Sequence, residues 1–242
     1  MTSSGDGQDY DDDSFGKQSN VIPLRPQKKK TEPPPPKPDP AHEPLINLPP
    51  YTKYLIAIIL AIHVVVTLLL TAEQAHWVYI NLGFIPGRFS GAAIFQPLAL
   101  LTPLTHLFLH GSWLHVGMNT VMLLAFGSGV ERWLGGQKMI FLFITSGLFG
   151  AATHFALNYD SISPVIGASG GLSGLFAAAL IMINRYNDGM TGKYGMWPFI
   201  ILWIGLSVVM GMMGSPDGSQ IAWAAHVGGF LGGFIMLKLM KV

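Results

Sequence analysis

The 242-residue sequence predicts an all-α membrane protein with six transmembrane helices and a disordered N-terminal tail. Three observations predict it. Half of the residues are hydrophobic and only 11% are charged, against about 25% in an ordinary soluble chain. The charges are crowded: 14 fall in the first 50 positions and 13 in the 192 that follow, too few to solvate a globular surface. From Tyr54 onward, uncharged stretches alternate with short loops, and about 20 apolar residues suffice to cross the hydrocarbon core. No ten-residue alternation suggests a barrel.

Residues 1–50 are polar, with an acidic cluster (Asp9, Asp11, Asp12, Asp13), a basic run (Lys28, Lys29, Lys30) and a proline tract from Pro33 to Pro40. Such a segment buries too little apolar surface to offset its ordering entropy, so a disordered tail is expected. The proline tract reads as a semi-rigid spacer ahead of the membrane. No apolar core follows a basic start, so no cleavable signal peptide is expected.

Residues 51–242 form the second domain. The expected spans are 54–72, 110–130, 138–157, 164–184, 196–213 and 220–240. The uncharged segment 89–109 contains Pro97, Pro103 and His106, and reads as a partly embedded loop. Lys53, Arg132, Lys138, Arg185, Lys193, Lys238 and Lys241 all fall on one side if the spans alternate, while the other side receives only Arg88. By the positive-inside rule both termini are cytoplasmic. The even-numbered spans then begin at the outer face.

Polar groups at membrane depth are costly and usually functional. The even spans contain His115 and Asn119, then Ser169 and Ser173, then His226. Counted from the expected span starts, Ser169 and His226 lie about 8–10 Å below the outer boundary at roughly 1.5 Å per residue. His115 lies at similar depth, with Asn119 one turn deeper on the same face. A hydroxyl and an imidazole at one level can form a nucleophile–base pair. Gly167, Gly170, Gly171 and Gly174 surround Ser169, and Gly229 and Gly233 follow His226. These small-residue faces let two helices approach closely. Ser173 is the alternative nucleophile, one turn deeper and below the level expected for His226.

These residues resemble the rhomboid family of intramembrane serine proteases. Gly167-Ala168-Ser169-Gly170 is similar to its G-x-S-G, and Ala225-His226 through Gly229 and Gly233 to its A-H-x-x-G-x-x-x-G. His115 through Asn119 resembles its H-x-x-x-N, and Glu131-Arg132-Trp133-Leu134-Gly135 its E-x-x-x-G. The likeness covers about 51–242. It implies a six-helix bundle in which Ser169 and His226 form a catalytic dyad. His115 and Asn119 would stabilise the oxyanion, and the substrates would be transmembrane proteins cut in or near their spans. A helix-weakening Gly or Pro near the cut is expected.

The remaining readings are weaker. The net charge of +1 does not point to nucleic acid. Zero cysteines remove thiol chemistry and cysteine-ligated metal. Aspartyl chemistry needs two Asp within spans, and H-E-x-x-H is absent, so neither cofactor nor metal is expected. His106 and His110, spaced i,i+4, could in principle hold an ion but read better as loop hydrogen-bonding groups. A helix-binding protein without catalysis and a small-molecule transporter are the non-enzyme alternatives. The first is disfavoured by the matched Ser and His, the second by the absence of an evident repeat. The basic inner loops suit a bacterial cytoplasmic membrane. Trp197, Phe199 and Trp203 in span five, with the loop around Gly214–Gly218, are candidates to gate entry from the bilayer or to form an interfacial belt.

Overall fold

The computed structural model describes residues 47–186, 195–213 and 222–242. The tail expected to be disordered lies outside these residues apart from 47–50, and so does the loop around Gly214–Gly218. The described residues are mostly helical, and their only β pairing is an isolated antiparallel bridge between Phe84 and Val165.

Eight principal helices follow in order: α1 Pro50–Leu69, α2 Ala72–Leu82, α3 Pro97–Phe108, α4 Trp113–Leu134, α5 Gly136–Leu157, α6 Ser169–Tyr186, α7 Trp197–Met213 and α8 Trp223–Leu239. Three of them, α1, α4 and α5, are long and apolar enough to cross a membrane, with mean hydropathies of 2.2, 1.2 and 1.7. The chain is an integral membrane protein by these helices. The segment expected as an embedded loop contains the short apolar helix α3, partly in 3₁₀ geometry.

Local chemistry sets the helix ends. Pro50 opens α1 at its first position, where its missing N–H costs nothing. The next two N–H groups, of Tyr51 and Thr52, would be orphaned. The buried Glu131 carboxylate accepts both, together with the Thr52 hydroxyl. Arg132 beside it donates to the Asn47 carbonyl, and Arg185 stands over the Trp133 ring at 5.7 Å. Thr71 and Gln74 form a reciprocal capping box on α2. The Ser112 hydroxyl accepts the His115 N–H at the start of α4.

The core runs between α1, α3, α4, α5 and α6 around Leu107, Leu123, Phe143 and Leu172. The closest packing joins α5, α6 and α8, and glycine makes it possible. A methyl on Gly229 would collide with the Gly170 carbonyl, and one on Gly233 would come within 2.7 Å of the Gly174 Cα. A methyl on Gly150 would come within 2.6 Å of the Ala225 carbonyl. The small-residue faces expected from the sequence therefore meet backbone to backbone. α7 is held differently, through the Trp203 ring on Phe176 (4.6 Å) and the apolar cluster around Phe230.

The helix starts differ from expectation by one to five residues, and those of α6 and α8 bear on the site. The fourth span was expected from 164, but 164–168 is irregular and α6 begins at Ser169 itself. Pro164 and Gly167, the latter at φ +127°, keep this stretch out of helix. Val165 instead pairs with Phe84. α8 likewise begins at Trp223, so His226 is its fourth residue. Depth counted along a helix from 164 or 220 therefore does not describe either residue.

Candidate active site

The N-terminal ends of α4, α6 and α8 converge on a cavity of about 770 Å³. His115, Asn119, Ser169 and His226 all line it, so the four residues singled out in the sequence come together at one place. Arg132, Arg185 and Lys238 sit at the C-terminal ends of these same three helices.

Ser169 opens α6, and its hydroxyl lies 2.7 Å from the His226 Nε2. The glycine contacts between α6 and α8 permit this approach. Ser173, the alternative nucleophile, is fully buried, and its hydroxyl donates to the Ser169 carbonyl at 2.8 Å. It is a helix hydrogen bond one turn on, and His226 pairs with Ser169.

His115 stands over the turn before the serine. A methyl on Gly167 would come within 2.8 Å of the His115 Nε2 and Cε1, and 3.7 Å from the Ser169 hydroxyl. Asn119 is buried, and its amide donates to the His115 carbonyl at 2.9 Å. One amide hydrogen is left for the cavity, and Oδ1 is buried without a partner. Among the described residues no carboxylate lines the cavity, and Glu131 is engaged at α1.

The irregular segment before Ser169 is held from two sides. Phe84 and Val165 exchange both N–H···O bonds, at 3.0 and 2.8 Å, and the Gly87 N–H reaches the Ser161 carbonyl at 2.8 Å. The Gly167 N–H donates to the His106 carbonyl at 2.9 Å. The Ala168 N–H donates to the His110 Nε2 at 3.4 Å. His106 Nδ1 bonds the Thr102 carbonyl. This i,i+4 pair therefore directs ring nitrogens at backbone groups. No cluster of three His, Cys, Asp or Glu able to hold a metal occurs among the described residues. Tyr79 donates its hydroxyl to the His110 carbonyl at 3.0 Å. Burial raises the Tyr79 phenol above its ordinary value, so it remains a donor.

Sequence reasoning missed the apolar wall of the cavity. Met118 and Met122 on α4 and Leu206 on α7 line it. Their only signal was an i,i+4 spacing next to Asn119, common to any apolar helix. Of the aromatic candidates on α7, Trp203 lines the cavity, whereas Trp197 and Phe199 are exposed.

Residues 98–241 match the family model of the Rhomboid domain. YdcA of Bacillus subtilis is 27% identical over 182 residues, covering 71% of this chain and 86% of that protein. RHOMBOID-like protein 5 of Arabidopsis thaliana is 31% identical over 130 residues, or 54% of this chain and 40% of that protein. Rhomboid protease GluP of Bacillus subtilis is 29% identical over 135 residues, or 56% of this chain and 24% of that protein. The chain thus spans most of the first relative and less than half of the other two.

Proposed function

The chain belongs to the rhomboid family of intramembrane serine proteases, and from that premise we propose that it hydrolyses peptide bonds in or near the transmembrane helices of other membrane proteins by a Ser169–His226 dyad. The single observation that carries this reading is the 2.7 Å contact between the Ser169 hydroxyl and the His226 Nε2 inside a cavity.

In the proposed reaction His226 takes the Ser169 proton as the oxygen attacks the substrate carbonyl. The oxyanion is held by the Ser169 N–H with the His115 and Asn119 side chains. Collapse breaks the C–N bond, and the protonated His226 gives its proton to the leaving amine. Water, activated by the same imidazole, then releases the acyl group. With no carboxylate in the described cavity wall, the imidazole is oriented by packing against α6 and by the serine itself. No metal or cofactor takes part. The substrate enters as an unwound segment, so a Gly or Pro near the cut favours cleavage. Trp203 and the wall of α4 border its path.

The same reading assigns six membrane spans (α1, α4, α5, α6, α7 and α8), with both termini cytoplasmic and the cavity facing outward. Residues 51–242 are the protease domain and 1–50 a separate cytoplasmic segment rich in proline and charge. A bacterial cytoplasmic membrane fits the basic inner loops.

The test is cleavage of a fluorescently tagged single-span substrate in liposomes by the wild type, Ser169→Ala, Ser173→Ala and His226→Ala. Loss only in Ser169→Ala and His226→Ala supports the dyad. Loss in Ser173→Ala with activity in Ser169→Ala would move the nucleophile one turn along α6. Binding without cleavage by the wild type would favour a helix-binding protein.

A further inference from the structure

His110 plays no part in the proposed chemistry, yet it is 1% exposed and reaches the backbone next to the proposed nucleophile. Gly167 and Ala168 are not helical, and Ala168 is fully buried, so water cannot serve their N–H groups. Buried backbone donors of irregular segments need partners within the protein. Both find them in one short stretch, the Gly167 N–H at the His106 carbonyl and the Ala168 N–H at the His110 ring. The stretch is anchored in turn by the Tyr79 hydroxyl on the His110 carbonyl. The ring is further fixed edge-on against His115 at 4.9 Å.

We propose that His110 is a positioning residue for Ser169: its Nε2, as an acceptor, holds the Ala168 N–H and so fixes the turn that presents the serine hydroxyl to His226. Accepting at Nε2 requires a lone pair there, so the neutral ring carries its proton on Nδ1. Nδ1 is buried, and the Phe108 backbone lies close enough to the ring to serve as its acceptor. An imidazolium, or the opposite tautomer, would aim an N–H at the Ala168 N–H and push the turn away. The residue next to Ala168 is Ser169, whose oxygen must stay within 2.7 Å of His226. A displacement of about 1 Å at a reacting atom can cost about 100-fold in rate. The inference rests on Ser169 being the nucleophile.

The experiment uses the full chain in detergent, labelled at its reactive serine with a fluorophosphonate probe and assayed on the single-span substrate. His110→Phe keeps a ring but removes the acceptor; His110→Gln restores an acceptor near the Nε2 position. The expected result is labelling and kcat about 10- to 100-fold lower in His110→Phe, with KM within about threefold. His110→Gln should recover to within about threefold of wild type. A general loss of packing would not be rescued by Gln. Wild-type rates in His110→Phe, or equal losses in both variants, overturn the proposal. Should His110→Phe fail to fold, the ¹⁵N shifts of the wild-type His110 imidazole decide. An Nδ1–H tautomer at neutral pH supports the proposal, and an Nε2–H ring or an imidazolium overturns it. Those shifts are read without turnover. A wild type that labels nowhere would sink the nucleophile reading while leaving the His110–Ala168 bond to be judged on its own.

Discussion

The Glu131 carboxylate caps Thr52 from 79 positions away, accepting its N–H and its hydroxyl at 2.7 Å each. The same carboxylate takes the Tyr51 N–H at 3.0 Å, so the end of α4 completes the start of α1. Hydrogen bonds to a charged acceptor contribute about 1.5–3 kcal/mol, and a buried donor left alone costs about 1–3 kcal/mol. Glu131→Ala should therefore lose about 2 kcal/mol of stability and melt at a visibly lower temperature, and Glu131→Gln should lose less. Activity per folded molecule should remain within about twofold, because the cavity is at the other end of the bundle. A silent Glu131→Ala that is still folded would contradict this division.

Gly229 is the tightest constraint on the approach of Ser169 to His226. A methyl there strikes the Gly170 carbonyl, one residue from Ser169. Gly229→Ala is expected to lose about 1–3 kcal/mol by overpacking and to open the serine–histidine distance. Cleavage should fall by at least about tenfold, since bond geometry at the nucleophile is unforgiving. Gly205→Ala on α7, where an added methyl meets nothing within 4 Å, is the matched control and should behave as wild type in both thermal melts and cleavage assays.

At Gly167 the backbone is left-handed, with φ +127°, and the His115 ring occupies the space a side chain would need. Gly167→Ala should cost about 1–3 kcal/mol of backbone strain. It should also displace His115 and depress kcat more than KM. Steady-state kinetics of a folded variant with unchanged kcat would show that the turn tolerates the change.

Asn119 already spends one amide hydrogen on the His115 carbonyl, and its Oδ1 is buried unpaired. Asn119→Ala removes that orphan acceptor, so its melting temperature should hold. Loss of one oxyanion donor costs about 10²–10³ in rate. With its amide half committed, Asn119 should lie at or below the lower figure. Turnover of Asn119→Ala should thus remain measurable where Ser169→Ala and His226→Ala show none.

Ser173→Ala deletes a hydroxyl bonded to the Ser169 carbonyl. That carbonyl sits within α6, and the net contribution of such a bond is about 0.5–1.5 kcal/mol. A small drop in melting temperature with near-normal cleavage is the expected pair of readings.

Much of this arrangement was legible in the sequence because membrane helices leave few polar residues to choose among. Ser169, His226, His115 and Asn119 stood out by residue type against an apolar background, and the cavity gathers all four. The glycines at 229 and 233 announced a close helix contact, and Gly170 and Gly174 receive it. The starts of α6 and α8 were not legible. Apolar residues such as Val165 and Ile166 continue the hydropathy of a span whether or not they are helical. Only Pro164 and Gly167 hinted at the break. The wall of Met118, Met122 and Leu206 was silent for the same reason, since lipid-facing and cavity-facing apolar residues share one chemistry. His110 read as a loop residue because its partner is a backbone N–H, and backbone groups leave no mark in composition.

The contact between Ser169 and His226 joins two helices 57 positions apart in the chain. A chain synthesised from its N-terminus and threaded into a bilayer presents the serine well before the imidazole exists. If Ser169 and His226 act as the proposed dyad, the hydroxyl has no base until α8 has been delivered and seated against Gly170 and Gly174. The order of synthesis thus acts as a timer. On that assignment a half-inserted molecule would be chemically inert toward its neighbours, and reactivity would arrive only with completion of the bundle.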